Sequence, residues 1–153
     1  MTKDEAFMRE ALRLAKKAAD EGETPVGCVI VRDGAIVARG RNARERKKNA
    51  LEHAEISAIG KACRKLGGWR LWQCEMYVTL EPCPMCAGAI LQSRLKKVYV
   101  GARDPKAGAM GSVTDLTALP FPAKPEVEFG LCEAESTALL QTFFRSLRKK
   151  KDP

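Results

Sequence analysis

The sequence lacks any uncharged apolar run near the roughly 18 residues that a membrane-spanning helix needs. Its most apolar stretch, Val26 to Val31, is much shorter. The first residues also lack the basic start and the apolar core of a secretion signal. We therefore expect a soluble, non-secreted protein that is located in the cytoplasm.

Histidine and closely spaced cysteines are also scarce. The 153 residues include six cysteines and one histidine, His53, and only Cys83 and Cys86 lie close together in the sequence. In a non-secreted chain of this length, such cysteines indicate metal or redox chemistry rather than a disulfide framework. The other four lie singly among apolar residues, and we expect them to be buried free thiols. These are Cys28, Cys63, Cys74 and Cys132.

No internal repeat, linker or low-complexity segment is evident, and the length suits one domain over residues 1–153. Hydrophobic residues make up 45% of the sequence and charged residues 30%. Both values are typical of globular proteins and exclude collagen-like and disordered chains. Lys and Arg number 27 against 19 Asp and Glu, giving a formal net charge of +8. This excess of positive charge favours a polyanionic partner such as a nucleic acid.

Helix and strand patterns alternate along the chain. Thr2 to Glu5 has the form of a capping box, which predicts an amphipathic helix ending at Glu21-Gly22. Two antiparallel strands joined at Asp33-Gly34 should follow, and then a basic loop from Arg39 to Lys48. Further helices are predicted over His53 to Leu66, Pro84 to Ser93 and Glu133 to Arg148, a helical turn over Thr114 to Leu119, and strands over Met76 to Leu80, Val98 to Gly101 and Val127 to Phe129. This order predicts an α/β fold.

The last predicted helix is amphipathic. Its apolar side is expected to carry Leu140, Phe143, Phe144 and Leu147. The Gly-, Ala- and Pro-rich stretch from Ala102 to Pro125 is predicted to be a loop region that faces the substrate.

The strongest chemical signal combines His53-Ala54-Glu55 with Pro82-Cys83-Pro84-Met85-Cys86. Cysteines three residues apart at a helix start project to the same side, and the positive end of the helix dipole favours their thiolate forms. With His53 as a third ligand they predict a zinc site whose fourth position is open to water, as in catalytic sites. Glu55 is poorly placed to bind the same ion, because residues two apart on a helix do not face each other. We predict that it moves protons at the open position.

Simpler interpretations exist for each part of this pattern. A single histidine at a helix start is more often a hydrogen-bonded residue than a ligand, and a lone Cys-x-x-Cys is often a structural zinc half-site or a redox pair. A structural zinc site would need a fourth soft ligand, yet the other cysteines are scattered. The addition of Glu55 favours the catalytic interpretation, which matches the known signature of zinc deaminases.

Over nearly its whole length the chain resembles the bacterial tRNA-specific adenosine deaminases, the TadA family within the cytidine-deaminase-like fold. Two segments favour the tRNA branch over cytidine, cytosine and guanine deaminases: Gly101 to Lys106 and Phe143-Phe144-Arg145. The other matching segments are Pro25-Val26-Gly27, Val29-Ile30-Val31, Asn42, His53-Ala54-Glu55, Tyr77 to Gly88 and Leu139 to Thr142. The resemblance implies a three-layer α/β/α sandwich, with a five-stranded mixed sheet and helices on both faces, usually as a homodimer.

The resemblance also implies an activity, which is hydrolytic conversion of adenosine to inosine at the wobble position of a tRNA anticodon, typically of an arginine tRNA. Zinc held by His53, Cys83 and Cys86 would activate the water that attacks C6 of adenine. Glu55 would move the proton to the ring and then to the departing ammonia. The implied substrate contacts are Asn42, Val26, Ala54, Leu80 and Asp104.

RNA recognition is predicted from charge and from strand ends. Asp104 follows a strand end and could accept a hydrogen bond from a ribose 2′-hydroxyl, which would favour RNA over DNA. Contacts with the RNA backbone are predicted for Lys106, Arg145, Arg148 and Lys149, together with the loop Arg39 to Lys48 and the tail residues Lys150 and Lys151. Without the resemblance, Asn42 would be a turn residue, Val26 and Leu80 strand core, and the basic runs a solvated surface.

Three features depart from the family pattern, and one of them is Lys47-Lys48-Asn49, which makes the loop before Glu52 unusually basic. Glu52 stands directly before His53, where many relatives have a small residue, and could disturb the site if it points inward. Phe121-Pro122-Ala123-Lys124 replaces a polar stretch that would face RNA.

Other functions remain open. The first is deamination of a free base or nucleoside, of the guanine or cytosine type, although a small neutral substrate does not need the +8 charge. The second is adenosine deamination in single-stranded DNA. The third is a zinc-stabilised RNA-binding module or an inactive partner subunit, which would have no need for Glu55.

Overall fold

The computed structural model describes residues 1–151, with side chains to residue 150. Within that range the chain forms four α-helices and five strands. In chain order they are α1 (Lys3–Asp20), β1 (Gly27–Arg32), β2 (Ala35–Arg41), α2 (Ala54–Leu66), β3 (Cys74–Leu80), α3 (Pro84–Ser93), β4 (Lys97–Ala102), β5 (Glu126–Phe129) and α4 (Glu133–Lys151), with a short 3₁₀ helix (Leu116–Ala118) before β5. The predicted elements are confirmed, with strand bounds one to three residues wider at several ends.

The helix ends follow from their capping residues. The Thr2 hydroxyl accepts a hydrogen bond from the Glu5 amide at the start of α1, so the predicted capping interaction is present. Gly67 ends α2 in the left-handed conformation, with φ of 72°, which glycine adopts without steric cost. Pro84 occupies the first turn of α3, where its missing N–H leaves no helical hydrogen bond unmade.

The sheet has the order β2-β1-β3-β4-β5. β1 is antiparallel to both β2 and β3, whereas β3, β4 and β5 are parallel. The mixed five-stranded sheet is as expected. Because β3 and β4 are parallel, the loops at their carboxyl ends lie at one edge of the sheet, where α/β proteins place their ligands.

Helices cover both faces of the sheet and complete a three-layer α/β/α sandwich. On one face α1 and α4 pack against Val29, Val31, Tyr77 and Tyr99. On the other, α2 and α3 pack against a core that includes Ile30, Met76, Val78 and Val98. Alternate strand residues thus point into opposite layers, and both layers are apolar.

Three sequence-based expectations need correction. Arg39 and Arg41 belong to β2 rather than to a loop, because β2 pairs with β1 as far as Gly27 opposite Arg41. Both side chains face α1, where Arg41 ion-pairs with Glu21 and Arg39 lies 3.9 Å from a Glu10 oxygen. The basic loop therefore begins after Arg41, and these two arginines already have acidic partners.

The second correction concerns α4. Leu139 contacts the core, but Phe144 and Leu147 are 44% and 38% exposed, so the expected apolar side is only partly covered.

The thiols also differ from expectation, since Cys28 and Cys74 are buried whereas Cys63 and Cys132 are half-buried. None of the helices in residues 1–151 is long and apolar enough to cross a membrane.

Candidate metal centre and nucleotide pocket

The amino ends of two helices bring the candidate metal ligands together. His53 is the residue that precedes α2, and Cys83 is the one that precedes α3. The His53 Nδ1 atom lies 3.6 Å from the Cys83 Sγ atom and 3.4 Å from the Cys86 Sγ atom. All three potential ligand atoms lie within 4.8 Å of one another. The structure therefore gathers the three residues that the sequence motifs predict.

These distances fit a zinc ion. Tetrahedral coordination with ordinary Zn–S and Zn–N bond lengths separates a sulfur from a nitrogen by about 3.5 Å. The hydrogen bond from the Cys86 thiol, with a further one from His53, lowers the pKa of Cys83 to about 4 despite partial burial. A thiolate is the form of cysteine that binds metals. One histidine and two cysteines leave the fourth tetrahedral position for a small ligand.

Glu55 lies in the first turn of α2 and is buried. Burial raises the pKa of Glu55 to about 7, because desolvation outweighs the hydrogen bond and the charge that favour its ionised form. A carboxyl group that titrates near neutral pH can both accept and release a proton during turnover. Its burial and its titration near neutral pH thus suit the predicted proton transfer.

A pocket of about 200 Å³ opens above these groups. Its walls come from the segment before β1, the end of β3, the first turn of α2, and the segments after β2, β3 and β4. The residues are Thr24, Val26, Asn42, Arg44, His53, Ala54, Glu55, Leu80, Glu81, Cys83, Asp104 and Ala107. Typical small-molecule clefts measure about 300 to 1,000 Å³, so this pocket suits a single flat base. All five substrate contacts implied by the resemblance line it.

Two polar groups of the pocket wall are held by local backbone hydrogen bonds. The Asn42 side chain donates to the Thr24 carbonyl over 3.4 Å and accepts from the Arg44 amide over 3.2 Å. The Asp104 Oδ1 atom accepts from the amides of Lys106 and Ala107. Both side chains therefore have fixed orientations at the mouth of the pocket.

A larger groove of about 730 Å³ continues from the pocket, sharing Thr24, Leu80 and Asp104 with it. Three of the predicted RNA-backbone residues line the groove. They are Lys106, Arg145 and Arg148. Lys149 is exposed but is not among the groove residues, and the Lys151 side chain lies outside the described residues. Leu140 and the half-exposed Phe144 give the groove an apolar strip beside its cations.

Glu52 points away from the metal centre. Its carboxylate lies 3.6 Å from the Lys47 ammonium, and it is not among the residues that line the pocket. The outward orientation that the sequence left open is therefore the one adopted. Phe121, in the segment that departs from the family pattern, is exposed and lies outside both the pocket and the groove.

Sequence reasoning missed two buried carboxylates beside the pocket. Glu23 accepts hydrogen bonds from the amides of Glu45 and Arg46 and so holds the loop after β2. Glu81 accepts bonds from the segment after β4. Burial alone would raise the pKa of Glu81, but hydrogen bonds from Ser112, Asp104 and Met110 hold it below the usual value. The available sequence signal was an acidic residue next to a strand or turn, which also describes ordinary surface positions.

The sequence of this chain is similar to those of known proteins. Residues 1–102 match the sequence model described as the cytidine and deoxycytidylate deaminase zinc-binding region. The chain is 49% identical over 152 residues to the tRNA-specific adenosine deaminase of Bacillus subtilis, covering 99% of this chain and 94% of that protein.

Solved structures show the same similarity. One, from a study of A-to-I editing by tRNA:A34 deaminases at the wobble position of transfer RNA, superposes with a TM-score of 0.86 at 43% identity, over 88% of this chain and 99% of that one. Another, a guanine deaminase from Nitrosomonas europaea, has a TM-score of 0.79 at 25% identity, over 91% and 83% of the two chains.

Proposed function

Because the chain belongs to the cytidine and deoxycytidylate deaminase family, we propose that it catalyses the hydrolytic deamination of adenosine to inosine in tRNA. One observation supports this most strongly. The His53, Cys83 and Cys86 cluster and buried Glu55 lie at a base-sized pocket that opens into a cationic groove. The substrate therefore combines a small reacting base with a polyanionic chain.

Zinc is the cofactor, and when bound it supplies a water made acidic enough to act as a nucleophile near neutral pH. With the zinc held by His53, Cys83 and Cys86, Glu55 would carry a proton to N1 of adenine. It then passes a proton to the departing amino group, so that adenosine and water yield inosine and ammonia. The buried position of Glu55 and its pKa of about 7 support both transfers.

The pocket walls would hold the base between apolar side chains. Val26 and Leu80 offer these surfaces, and Ala54 leaves space close to the metal centre. Asn42 is oriented to hydrogen-bond the nucleotide, and Asp104 to accept a hydrogen bond from the ribose 2′-hydroxyl. An extruded base read in this way is the usual substrate form for enzymes that act on bases of a nucleic acid.

The groove is proposed to follow the RNA backbone on either side of that base. Lys106, Arg145 and Arg148 provide the positive charge along it.

We propose the wobble adenosine of an arginine tRNA as the target. We also propose the cytoplasm as the location, because tRNA substrates are found there.

A homodimer is proposed as the active form. The outer sides of α2 and α3 contain Gly60 and Gly88. A Cβ atom at Gly88 would meet no heavy atom within 4 Å, and one at Gly60 only the tip of Arg64. A second subunit could therefore approach both helices closely. Light scattering after size-exclusion chromatography would give a mass near 34 kDa for a dimer, against 16.8 kDa for the single chain.

The decisive experiment incubates the zinc-loaded protein with the anticodon stem-loop of an arginine tRNA and detects inosine by nucleoside mass spectrometry. A Glu55→Ala variant serves as the matched control. Inosine from the parent alone, with equal zinc content in both proteins, would support the activity and the role of Glu55. Loss of zinc from the variant would instead assign Glu55 to the metal site.

The alternative with a specific observation behind it is a free-base deaminase, because the guanine deaminase from Nitrosomonas europaea shares the fold. Guanine supplied to the same zinc-loaded protein distinguishes the two functions. Xanthine from guanine with no inosine from the stem-loop would favour the free-base function. Glu55→Ala should abolish either product.

A further inference from the structure

Glu81 is a buried carboxylate with four hydrogen-bond donors from one segment of the chain. It follows β3 directly and is 2% exposed. Its Oε1 atom accepts from the Asp104 amide over 3.2 Å and from the Ser112 hydroxyl. Its Oε2 atom accepts from the amides of Met110 and Ser112 over 3.1 and 3.0 Å. Both carboxylate oxygens are thus used within the loop after β4.

The surrounding backbone is closely fitted to this carboxylate. A Cβ atom on Gly108 would overlap the Glu81 carboxylate and would lie 2.6 Å from the Asp104 carbonyl oxygen. The Asp104 carbonyl also accepts the Gly108 amide, so residues 104–108 form a tight turn around the carboxylate. Only a residue without a side chain fits at this position of the turn.

The segment that Glu81 holds supplies one wall of the nucleotide pocket. Asp104 and Ala107 line the pocket, and Asp104 and Lys106 line the groove that continues from it. We propose that Glu81 is a positioning residue, which fixes Asp104 at the mouth of the pocket for contact with the nucleotide. This inference rests on the proposed function, since it assigns a consequence for substrate binding.

The hydrogen-bond pattern shows why a carboxylate is required. A glutamine has the same shape but only one acceptor oxygen and a donor amino group. If the glutamine oxygen accepts from the amides of Met110 and Ser112, the glutamine amino group takes the place of Oε1. It then faces the Asp104 N–H, so that two hydrogen-bond donors point at each other. The Ser112 hydroxyl can rotate to accept, but the Asp104 amide cannot. Glu81→Gln is therefore expected to loosen the loop at Asp104 first.

The experiment measures kcat and KM for inosine formation in an anticodon stem-loop, with Glu81→Gln and Asp104→Ala made singly and together. We expect Glu81→Gln to raise KM about tenfold in the parent protein. In the Asp104→Ala background, where the carboxylate has already been removed, the same change should raise KM less than about twofold. The kcat value should change little, since a contact present in both the bound substrate and the transition state affects KM. A gentler variant, Ser112→Ala, should raise KM by about two- to threefold.

Glu75→Gln is the matched control. Glu75 lies near the start of β3, at the opposite end of the strand from Glu81, where it ion-pairs with Lys96, and we expect unchanged kinetics. Equal KM increases with and without Asp104, or unchanged KM in Glu81→Gln, would overturn the proposal. Zinc loss from Glu81→Gln would also overturn it, by assigning the residue to the neighbouring metal site.

A substrate-free measurement separates this inference from the proposed function. Amide hydrogen exchange should quicken over residues 103–112 in Glu81→Gln and remain unchanged over residues 43–49, which Glu23 holds. Absence of inosine from the parent would refute the proposed function. Unchanged exchange over residues 103–112 would refute the positioning role, whatever the parent's substrate.

Discussion

Cys28 lies on β1, and its thiol is fully buried in the core between the sheet and helices α2 and α3. Burial raises its pKa well above the usual value, and the nearby charge of Glu55 adds to the effect. The folded protein therefore keeps this thiol protonated at a pH where the unfolded chain releases the proton. The stability that results is complete below the unfolded pKa near 8.5 and is lost as the pH rises above it.

We predict that Cys28 contributes a loss of about 2 kcal/mol in the free energy of unfolding between pH 8 and pH 10, at about 1.4 kcal/mol per pH unit above the unfolded pKa. Urea unfolding of the parent and of Cys28→Ala at both pH values measures this. The variant should lose less stability over the interval than the parent does. Equal losses in both proteins would show that Cys28 does not carry the effect.

A substitution at Asp104 can test whether this residue recognises the ribose. Its carboxylate lies where the pocket joins the groove, with Oδ1 held by two backbone amides. We predict that Asp104→Asn raises activity on single-stranded DNA relative to RNA, because an amide loses the charge that favours a 2′-hydroxyl donor. The ratio of kcat/KM for matched RNA and deoxyribose stem-loops checks this. An unchanged ratio would exclude Asp104 as the sugar-sensing group.

At the scale of whole elements, two glycines set the distance between helices and sheet. A Cβ atom on Gly40 of β2 would overlap the Ala54 carbonyl at the start of α2, and one on Gly27 of β1 would overlap the Ala11 carbonyl of α1. Both substitutions should displace a helix, but only α2 carries Glu55 and begins after His53. The metal centre therefore depends on one of these contacts and not on the other.

We predict that Gly40→Ala and Gly27→Ala each reduce the free energy of unfolding by about 1–3 kcal/mol, the usual range for an overpacked core. Only Gly40→Ala should also weaken zinc retention, because it shifts the helix that follows His53. Thermal unfolding and competition with a chelator measure the two effects. Equal zinc affinity in the two variants would contradict this link between α2 and the metal centre.

The sequence predicted most elements because local signals were strong. Thr2 to Glu5 and Glu21-Gly22 predicted the two ends of α1, and Asp33-Gly34 predicted the hairpin. The metal ligands were predictable because each has a distinctive chemistry. Strand pairing is non-local, and so β2 extended through Arg39 to Arg41, where a run of basic residues resembled a loop.

The pocket was less predictable than the metal centre for the same reason. Glu23 and Glu81 become buried only when distant segments fold against them, over separations of 22 to 31 residues. A glutamate in a sequence is most often on the surface. Nothing local distinguishes Glu23, which accepts two hydrogen bonds, or Glu81, which accepts four, from a glutamate that faces water.

For the whole molecule, the net charge of +8 is concentrated in part around the groove. Replacing Arg145 and Arg148 with alanine should lower the slope of log affinity against log salt for the stem-loop by about 1 to 2, because fewer counterions are released from the RNA. Arg13→Ala with Lys16→Ala, on the exposed side of α1 and outside the groove, is the control of equal charge. Fluorescence anisotropy at several salt concentrations measures both pairs, and an unchanged slope for the groove pair would exclude it from the RNA contact.

The hydrogen bonds that Glu23 and Glu81 accept from the loops affect which substitutions this fold can tolerate around its pocket. Both carboxylates bind mainly backbone amides, and among the residues they hold only Ser112 also donates through its side chain. Arg44 and Lys106 likewise join the local network through their N–H groups, which every residue except proline possesses. Recognition side chains can thus be exchanged while the path of each loop is preserved. A combinatorial library confined to such positions would explore new substrates at small risk to folding, and lineages with this architecture could have diverged in specificity by the same route.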